Sequence, residues 1–512
     1  MAQSKRVTEH TYAAPVADDA SWLPDLTPVD PGAHLVDGGV RDLDAVYYDT
    51  DDLRLTRTRA TLRRSTGDTD AGWHLELPLP GDSHEDVEVP LSDEVPDELR
   101  DLTLSRTRGD PLRPVARIRT TRSVRHLLSG AGAVVAELNL DTVRAQSLLE
   151  QGGNTLWTEL DVELAEDGDR VLRDAVEKAL RDKGAGRTGT RCEVARALTA
   201  TGSPADLSPD PRPDPAPGST GEHVLAYVRG LVTALTDLDP AVRRGRPDAV
   251  HRMRVACRRL RGCLRTWRCV LDRSVTDPVR ADLRWLGGEL GAERDHEVLA
   301  ERLTAAVGEL PGELVLGPVD ARLRAWDVAR RAQTRRRTLE ALASPRYRAL
   351  LDSLHGLAAE PPLRAKAAAG KPRKVMAKAL RKEEGRLHRR MERALSLSPG
   401  AERDAAIHHA RKAAKRVRYA AEAARPALGK AAGRLRRRAK AVQKAGGDHH
   451  DAVVARDALR RLAVAAHAAG EPGFTWGVLH GQERAAAGVR EQELSGMWGR
   501  PSQPGPRREH GG

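Results

Sequence analysis

Two stretches of this chain set a histidine ahead of basic residues at the same four offsets, an arrangement suited to holding an extended anion. The first reads His251-Arg-Met-Arg-Val-Ala-Cys-Arg-Arg-Leu-Arg261 and the second His408-His-Ala-Arg-Lys-Ala-Ala-Lys-Arg-Val-Arg-Tyr419. In both, basic residues stand at +3, +7, +8 and +10: Arg254, Arg258, Arg259 and Arg261, then Arg411, Lys415, Arg416 and Arg418. At about 100° per residue, positions 0, +3, +7 and +10 fall within about 80° of one another, so each helix carries a basic stripe about 15 Å long. Guanidinium groups bind phosphate oxygens in pairs and imidazole adds charge below about pH 6.5, so such a stripe suits a polyanion.

Each row is followed at nearly equal distance by a second element. Leu290-Gly-Ala-Glu-Arg-Asp295 ends 44 residues after His251, and Gly446-Gly-Asp-His-His-Asp451 ends 43 after His408. Glycine followed by aspartate reads as one helix ending and another capped by Asp. A single arginine-rich helix is ordinarily a solvated face. Two in the same register, each with the same sequel, predict an internal duplication with both rows around one groove. His296, His449 and His450 taken singly read as capping or packing residues.

Charge is divided along the chain. Residues 1–200 hold 25 Lys and Arg against 37 Asp and Glu, whereas residues 201–512 hold 60 against 36. Arg364–Lys444 alone carries 26 basic and 6 acidic residues. That density calls for an anionic partner. Aromatic residues are only 3% of the chain, which disfavours a single-strand nucleic-acid binder that stacks bases on rings. The four cysteines form no C-x-x-C pair, so neither a disulfide framework nor a zinc site is expected, and a reducing cytoplasm is the default. No apolar run is long enough for a membrane span, and residues 1–30 lack a signal-peptide core.

The elements that must position these residues change type midway. Gly202–Thr220, with six prolines, reads as a semi-extended linker. Before it, period-two segments at 60–65, 72–78, 115–121, 133–141 and 156–164 predict antiparallel strands. Alternation puts Glu137, Asn139 and Asp141 on one face of a strand, and Glu159, Asp161 and Glu163 on one face of another. A solvent-facing strand edge is the plainer reading of the second set. Residues 169–183 have helical spacing. After the linker the period is 3.6, with helices expected at about 221–236, 247–270, 277–306, 317–342, 346–357, 372–397, 402–424, 428–446 and 450–469. The prediction is an α+β multidomain chain. It has an N-terminal antiparallel β-barrel or tunnel (1–200), a linker (201–219), an all-α bundle of two pseudo-symmetric halves (220–475), and an extension (476–512) disordered from about 499.

The motifs H-x-M-R-V-A-x-R-R-L-R, L-R-W-L-x-x-x-L-G-x-x-R-D and H-x-x-R-K-x-x-K-R-x-R-Y make residues 220–470 resemble CHAD domains. The resemblance implies a helical bundle around a basic channel that binds inorganic polyphosphate, with an association with polyphosphate granules. By matching position the binding set is His251, Arg254, Arg258, Arg259, Arg261, Arg294, His408, Arg411, Lys412, Lys415, Arg416, Arg418 and His450. Tyr419 and Glu422 match supporting positions.

Residues 7–200 resemble a CYTH domain through Tyr47-Tyr-Asp-Thr-Asp-Asp-Leu-Arg54, Thr61-Leu-Arg-Arg64, Gly72-Trp-His-Leu-Glu-Leu-Pro78 and Trp157-Thr-Glu-Leu-Asp-Val-Glu-Leu164. That resemblance implies a tunnel whose carboxylates hold Mg²⁺ or Mn²⁺ and whose basic residues hold a triphosphate for hydrolysis or cyclisation. The implied metal set is Glu9, Glu137, Asp141, Glu159, Asp161 and Glu163, and the implied triphosphate contacts are Arg63 and Arg122. The chain departs from the pattern. Val7-Thr-Glu-His-Thr11 replaces E-x-E-x-K, Ser65 replaces an arginine, Glu76 replaces the lysine of L-K-L-P, and Cys192-Glu193 replaces S-K. The expectation is a polyphosphate-binding protein with a catalytically impaired tunnel. The alternative is a metal-dependent triphosphatase whose helical half recruits substrate.

Overall fold

Alternation of polar and apolar residues in the N-terminal half produces one nine-stranded antiparallel sheet, and the 3.6-residue period after it produces only helices. The computed structural model describes residues 3–7, 10–13, 34–67, 71–79, 83–130, 132–150, 152–164, 178, 182, 193–201 and 215–498. Glu9, Cys192, residues 202–214 of the linker, residues 499–512 and all but Lys178 and Asp182 of the expected 169–183 helix lie outside these, as does the side chain of Glu163. The chain separates into two compact units, Met1–Pro211 and Arg212–Gly512.

The first unit runs β1 (Gln3–Val7), β2 (His10–Ala13), β3 (His34–Asp49), α1 (Arg54–Arg57), β4 (Thr61–Thr66), β5 (Gly72–Pro78), β6 (His84–Val89), α2 (Asp97–Thr107), β7 (Arg113–Leu128), β8 (Val134–Ser147), β9 (Asn154–Leu164) and α3 (Glu193–Ala200). Strand order is β1-β6-β5-β4-β3-β7-β8-β9-β2. The two edges of this sheet are therefore consecutive in sequence. Val7 and His10 are three residues apart, which limits their separation to about 11 Å and forces the sheet to curl into a tunnel.

On β4–β6 the pleat sends Leu62, Trp73, Leu75 and Val87 into a core with Leu99 and Leu102 of α2. Arg63, His74, Glu76 and Asp86 take the opposite face. α3 lies against that same polar face farther round, where Val194, Ala197 and Leu198 meet Tyr47, Val143, Ala145 and Trp157.

The second unit contains α4 (Thr220–Arg243), α5 (Ala249–Thr266), α6 (Arg273–Gly308), a 3₁₀ turn (Gly312–Leu314), α7 (Val319–Ala343), α8 (Pro345–Ala359), α9 (Ala365–Ala368), α10 (Pro372–Ser396), α11 (Ala401–Ala423), α12 (Arg425–Ala468) and α13 (Phe474–Trp498). Ser219 opens α4 by accepting the Glu222 N–H at 3.2 Å. Neighbours pack in sequence order within α4–α7 and again within α10–α13, and α5 packs on α11. One core joins the C-terminal ends of α6 and α12 to α7 and α13 through Leu303, Leu323, Leu459 and Trp476. The segment expected as an extension from 476 is thus largely a helix seated on this core, with Trp476 buried.

Gly291 and Gly446, which read locally as helix ends, end no helix: α6, expected whole over 277–306, and α12, expected in two pieces, both run straight through them. Glycine inside a helix costs up to about 1 kcal/mol relative to alanine, which is why a break was the natural expectation. Neighbouring arginines account for the difference. A Cβ on Gly291 would lie 3.4 Å from the Arg254 guanidinium, and one on Gly446 3.3 Å from the Arg411 Cβ. These glycines let a basic helix lie close against the helix behind it, in both halves.

Gly446→Val should therefore lower thermal stability by about 1–3 kcal/mol, as overpacking does. An unchanged melting temperature would show that α11 does not approach α12 this closely.

Candidate functional site

The α5 row is placed by its buried neighbours. Met253, Cys257, Leu260 and Leu264 enter the core, which turns His251, Arg254, Arg258 and Arg261 together to one side. On α11, Ala410, Ala414 and Val417 are buried, and His408, Arg411, Lys415 and Arg418 follow the same rule. The two rows face each other. The half-buried Lys415 is pushed down to about 7, first by burial and then by the charges of Arg411, Arg258 and Arg254. Lys412 is lowered by burial and by Arg261 and Arg284. Arg258 loses some of its preference for charge through burial, and Arg254 and Arg411 add to that.

The duplicated motif behind the rows has a role that the sequence reading missed. Asp295 and Asp451 do not cap helices; they lie within α6 and α12 and face the +3 arginines. Arg254 binds Asp295 at 2.6 and 3.1 Å, and Arg411 approaches Asp451 to 3.9 Å. Each aspartate positions the arginine that passes over its glycine.

At the mouth of the rows the halves differ. The His408 ring lies against the His450 ring with centroids 4.1 Å apart, and burial with neighbouring cations lowers both to about 4. In the other half, burial and then Arg294 lower His251. The expectation that these histidines gain charge below about pH 6.5 is corrected for the groove as it stands: His408 and His450 are neutral there. His296 and His449 are buried outside the rows, each against carboxylates. His296 meets Asp327 at 2.8 Å, and His449 lies 3.2 Å from Asp404 and 3.4 Å from Glu491.

The expected cations differ in what holds them. Arg259, at +8 and off the stripe, pairs with Glu422 at 3.4 Å, and its counterpart Arg416 lies 3.5 Å from Glu383. Arg294 pairs with Glu297 at 3.0 Å, and Arg418 donates to Gln443 at 2.9 Å. Arg261, Lys412 and Lys415 make no ion pair among the described residues. The buried Tyr419 underlies Arg418 and Arg259 at 5.1 and 5.8 Å. Two cations escaped the sequence reading. Arg284 of α6 lies near both Arg261 and Lys412, and Arg265 lies near Arg416. Arg265 stands at +14 from His251, so extending the same stripe by one step would have found it.

In the tunnel unit the expected carboxylates share one face in register: Glu137 opposite Glu163, Asn139 opposite Asp161, and Asp141 opposite Glu159. Glu159 and Asp161 are buried, which removes the solvent-facing alternative. Two arginines stand against three of the expected carboxylates, which remain in excess. Arg122 donates two bonds to Asp141 at 2.9 and 2.6 Å and lies 3.6 Å from Asp161. Burial works against the Arg122 charge, yet the hydrogen bond and charge of Asp141 raise its pKa overall. Glu159 accepts from Trp157 at 2.8 Å and from Arg196 at 2.9 Å. Arg63 binds Glu76 at 2.6 Å, and Glu193 accepts from Tyr47 at 2.7 Å. Burial, then Glu193 and Asp161, push the Glu159 carboxyl upward.

Residues 226–460 match the CHAD domain family, and residues 30–190 match the CYTH domain family. Uncharacterised proteins from two Mycobacterium tuberculosis strains, CDC 1551 and H37Rv, are 38% identical over 479 residues, covering 88% of this chain and 88% of theirs. Among solved structures, PptA from Streptomyces chartreusis is 26% identical, with a TM-score of 0.47 over 55% of this chain and 99% of its own. The CHAD domain from the plant Ricinus communis is 24% identical, with a TM-score of 0.44 over 57% of this chain and 94% of its own.

The crowding at Lys415 gives a pH-dependent stability. Its pKa falls from 10.5 when unfolded to about 7 when folded, so its penalty is absent above about pH 10.5, grows as pH falls, and is complete below about 7. Lys415→Met should raise the melting temperature most below pH 7 and lose that advantage towards pH 10.5. An equal gain at both pH values would remove charge repulsion as its cause.

Proposed function

Because this chain belongs to the family that joins a CYTH domain to a CHAD domain, we propose that it binds inorganic polyphosphate along the groove between α5 and α11. We propose further that its tunnel does not turn over triphosphates. The observation that carries the reading is the pair of facing rows, in which Arg261, Lys412 and Lys415 lie among other cations with no carboxylate bound to them. A chain with about one charge per phosphate supplies the missing counter-charge along the whole row. Arginine binds it in pairs of hydrogen bonds, and release of its counterions drives association. The chain has no bases to read, and the groove needs no stacking surface; its tyrosine is buried. This favours polyphosphate over nucleic acid as partner, and it extends to polyphosphate granules.

Binding should also take up protons. A phosphate chain beside Lys415 raises its pKa from about 7, so affinity is greatest below pH 7 and declines as pH rises above it. His408 and His450 gain charge on the same principle at lower pH.

Tunnel chemistry is argued against by what its side chains already hold. A triphosphate would have to take Arg63 from Glu76 and Arg122 from Asp141. Mg²⁺ or Mn²⁺ would have to take Asp141 from Arg122 and Glu159 from Arg196. These standing pairs support the reading that the tunnel does not take up a triphosphate–metal complex. Two observations favour the triphosphatase reading: the acidic face in register, and the His74, Asp86 and Glu88 group, whose ligand atoms lie within 4.8 Å of one another.

Titration with polyphosphate across a salt series tests the groove. Replacing Arg258, Arg259, Lys415 and Arg416 with alanine should weaken binding by about a hundredfold or more and flatten the salt dependence. Unaltered binding, or equal affinity for duplex DNA at matched phosphate, would end the proposal. Phosphate release from tripolyphosphate with Mg²⁺ or Mn²⁺ tests the tunnel. No turnover is expected, and turnover lost on Glu159→Gln would reinstate the enzyme.

A further inference from the structure

α12 leaves helical geometry once, at Gly429, where φ is 53° and ψ is −126°. Only glycine adopts this combination readily, and here it turns the chain just after the α11–α12 corner. Beside the bend lies a half-open cavity of about 580 Å³ lined by Arg425, Lys430, Arg434, Arg436 and Arg437 together with Gly429 and Gly433. Lys430, Arg434 and Arg437 stand at 0, +4 and +7, within about 60° of one another on α12. No carboxylate lines the cavity, and none of the five cations makes an ion pair among the described residues. The adjacent pair is Arg438 with Glu384, at 4.0 Å.

These cations do not belong to the groove. The α11 row ends at Arg418, and Arg425 follows seven residues later, about 10 Å farther at helical rise. Arg425, Lys430, Arg434, Arg436 and Arg437 line one concave surface, over which the fields of like charges add. No aromatic side chain lines it, so it offers bases no stacking surface. A chain of phosphates satisfies it without further recognition.

We propose that the α11–α12 corner is a second phosphate-binding subsite, which grips the part of a polyphosphate chain that extends beyond the groove. The inference rests on the groove reading. A chain long enough to occupy both subsites gains from the high effective concentration of its second segment, whereas a short chain held in the groove does not.

The test compares long-chain polyphosphate with tripolyphosphate in the full chain. The variant is Lys430→Ala, Arg434→Ala and Arg437→Ala. The control, Arg324→Ala, Arg330→Ala and Arg336→Ala, removes the same charge from the exposed face of α7. The corner variant should bind the long chain about tenfold more weakly, keep its tripolyphosphate affinity, and lose about two to three units of salt slope for the long chain. The control should change neither affinity. Arg434→Glu with Arg437→Glu should enlarge the long-chain loss while melting as the wild type does.

Unchanged long-chain affinity in the corner variant would overturn the subsite. Equal losses in corner and control variants would overturn it too, leaving only the general field. Weakened duplex DNA binding with polyphosphate unaffected would assign the corner to nucleic acid and reject the proposal. Failure of the groove reading looks different: the wild type itself would not bind polyphosphate.

Discussion

The structure depends on holding two rows of positive charge against each other in a half-buried groove. Unit charges a few ångströms apart repel by several kcal/mol at the dielectric of a protein surface, and no single ion pair here is strong enough to cancel that. The opposing force comes from behind the rows. Each basic helix packs closely on a long helix that runs through glycines, and each +3 arginine is held towards an aspartate on that helix. The core that joins α6 and α12 to α7 and α13 fixes those long helices. Burial of leucine and tryptophan there offsets the electrostatic strain in the groove.

The duplication preserves this arrangement while changing its chemistry. Arg254 over Gly291 beside Asp295 matches Arg411 over Gly447 beside Asp451. Arg258 is matched by Lys415, and Arg294 by His450. The first half therefore carries permanent charge where the second carries groups that titrate. Arginine keeps its proton under this crowding, whereas lysine and histidine give theirs up. One half supplies a constant field at these positions and the other responds to pH.

What was legible in the sequence was what local periodicity encodes. The rows at 251–261 and 408–418 needed only the helical repeat, and strands such as Gly72–Pro78 needed only alternation. What depends on distant neighbours was not legible. Gly291 and Gly446 read as helix ends because the arginines that require them are some 35 to 40 residues away in sequence. Asp295 and Asp451 read as caps for the same reason. The long strand β3 went unread because its first half, exposed and interrupted by Gly38 and Gly39, shows no alternating burial. Closure of the tunnel by two short strands at the chain start depends on pairings with β6 and β9 that no local pattern reveals. Arg284 was missed because its helix contributes it singly, and only packing brings it to Arg261 and Lys412.

The tunnel unit solves the same electrostatic problem in the opposite way. In the groove, cations face cations, and several have no carboxylate against them among the described residues. In the tunnel, carboxylates take up the cations internally, and one of them, Glu76, is a departure from the family pattern. Glu76, where the pattern has lysine, binds Arg63; Glu193, where it has lysine again, accepts from Tyr47 and raises the charge density felt by Arg122 and Glu159. A lysine-to-glutamate exchange changes the local charge by two units. It turns a site that needs an anion into a self-sufficient pair. The fold can tolerate this because a buried arginine needs only a hydrogen-bonded negative charge, and a protein carboxylate satisfies it as well as a phosphate does. The tunnel can therefore keep its shape and polar interior through its own pairs, while in the groove Arg261, Lys412 and Lys415 have no such replacement among the described residues.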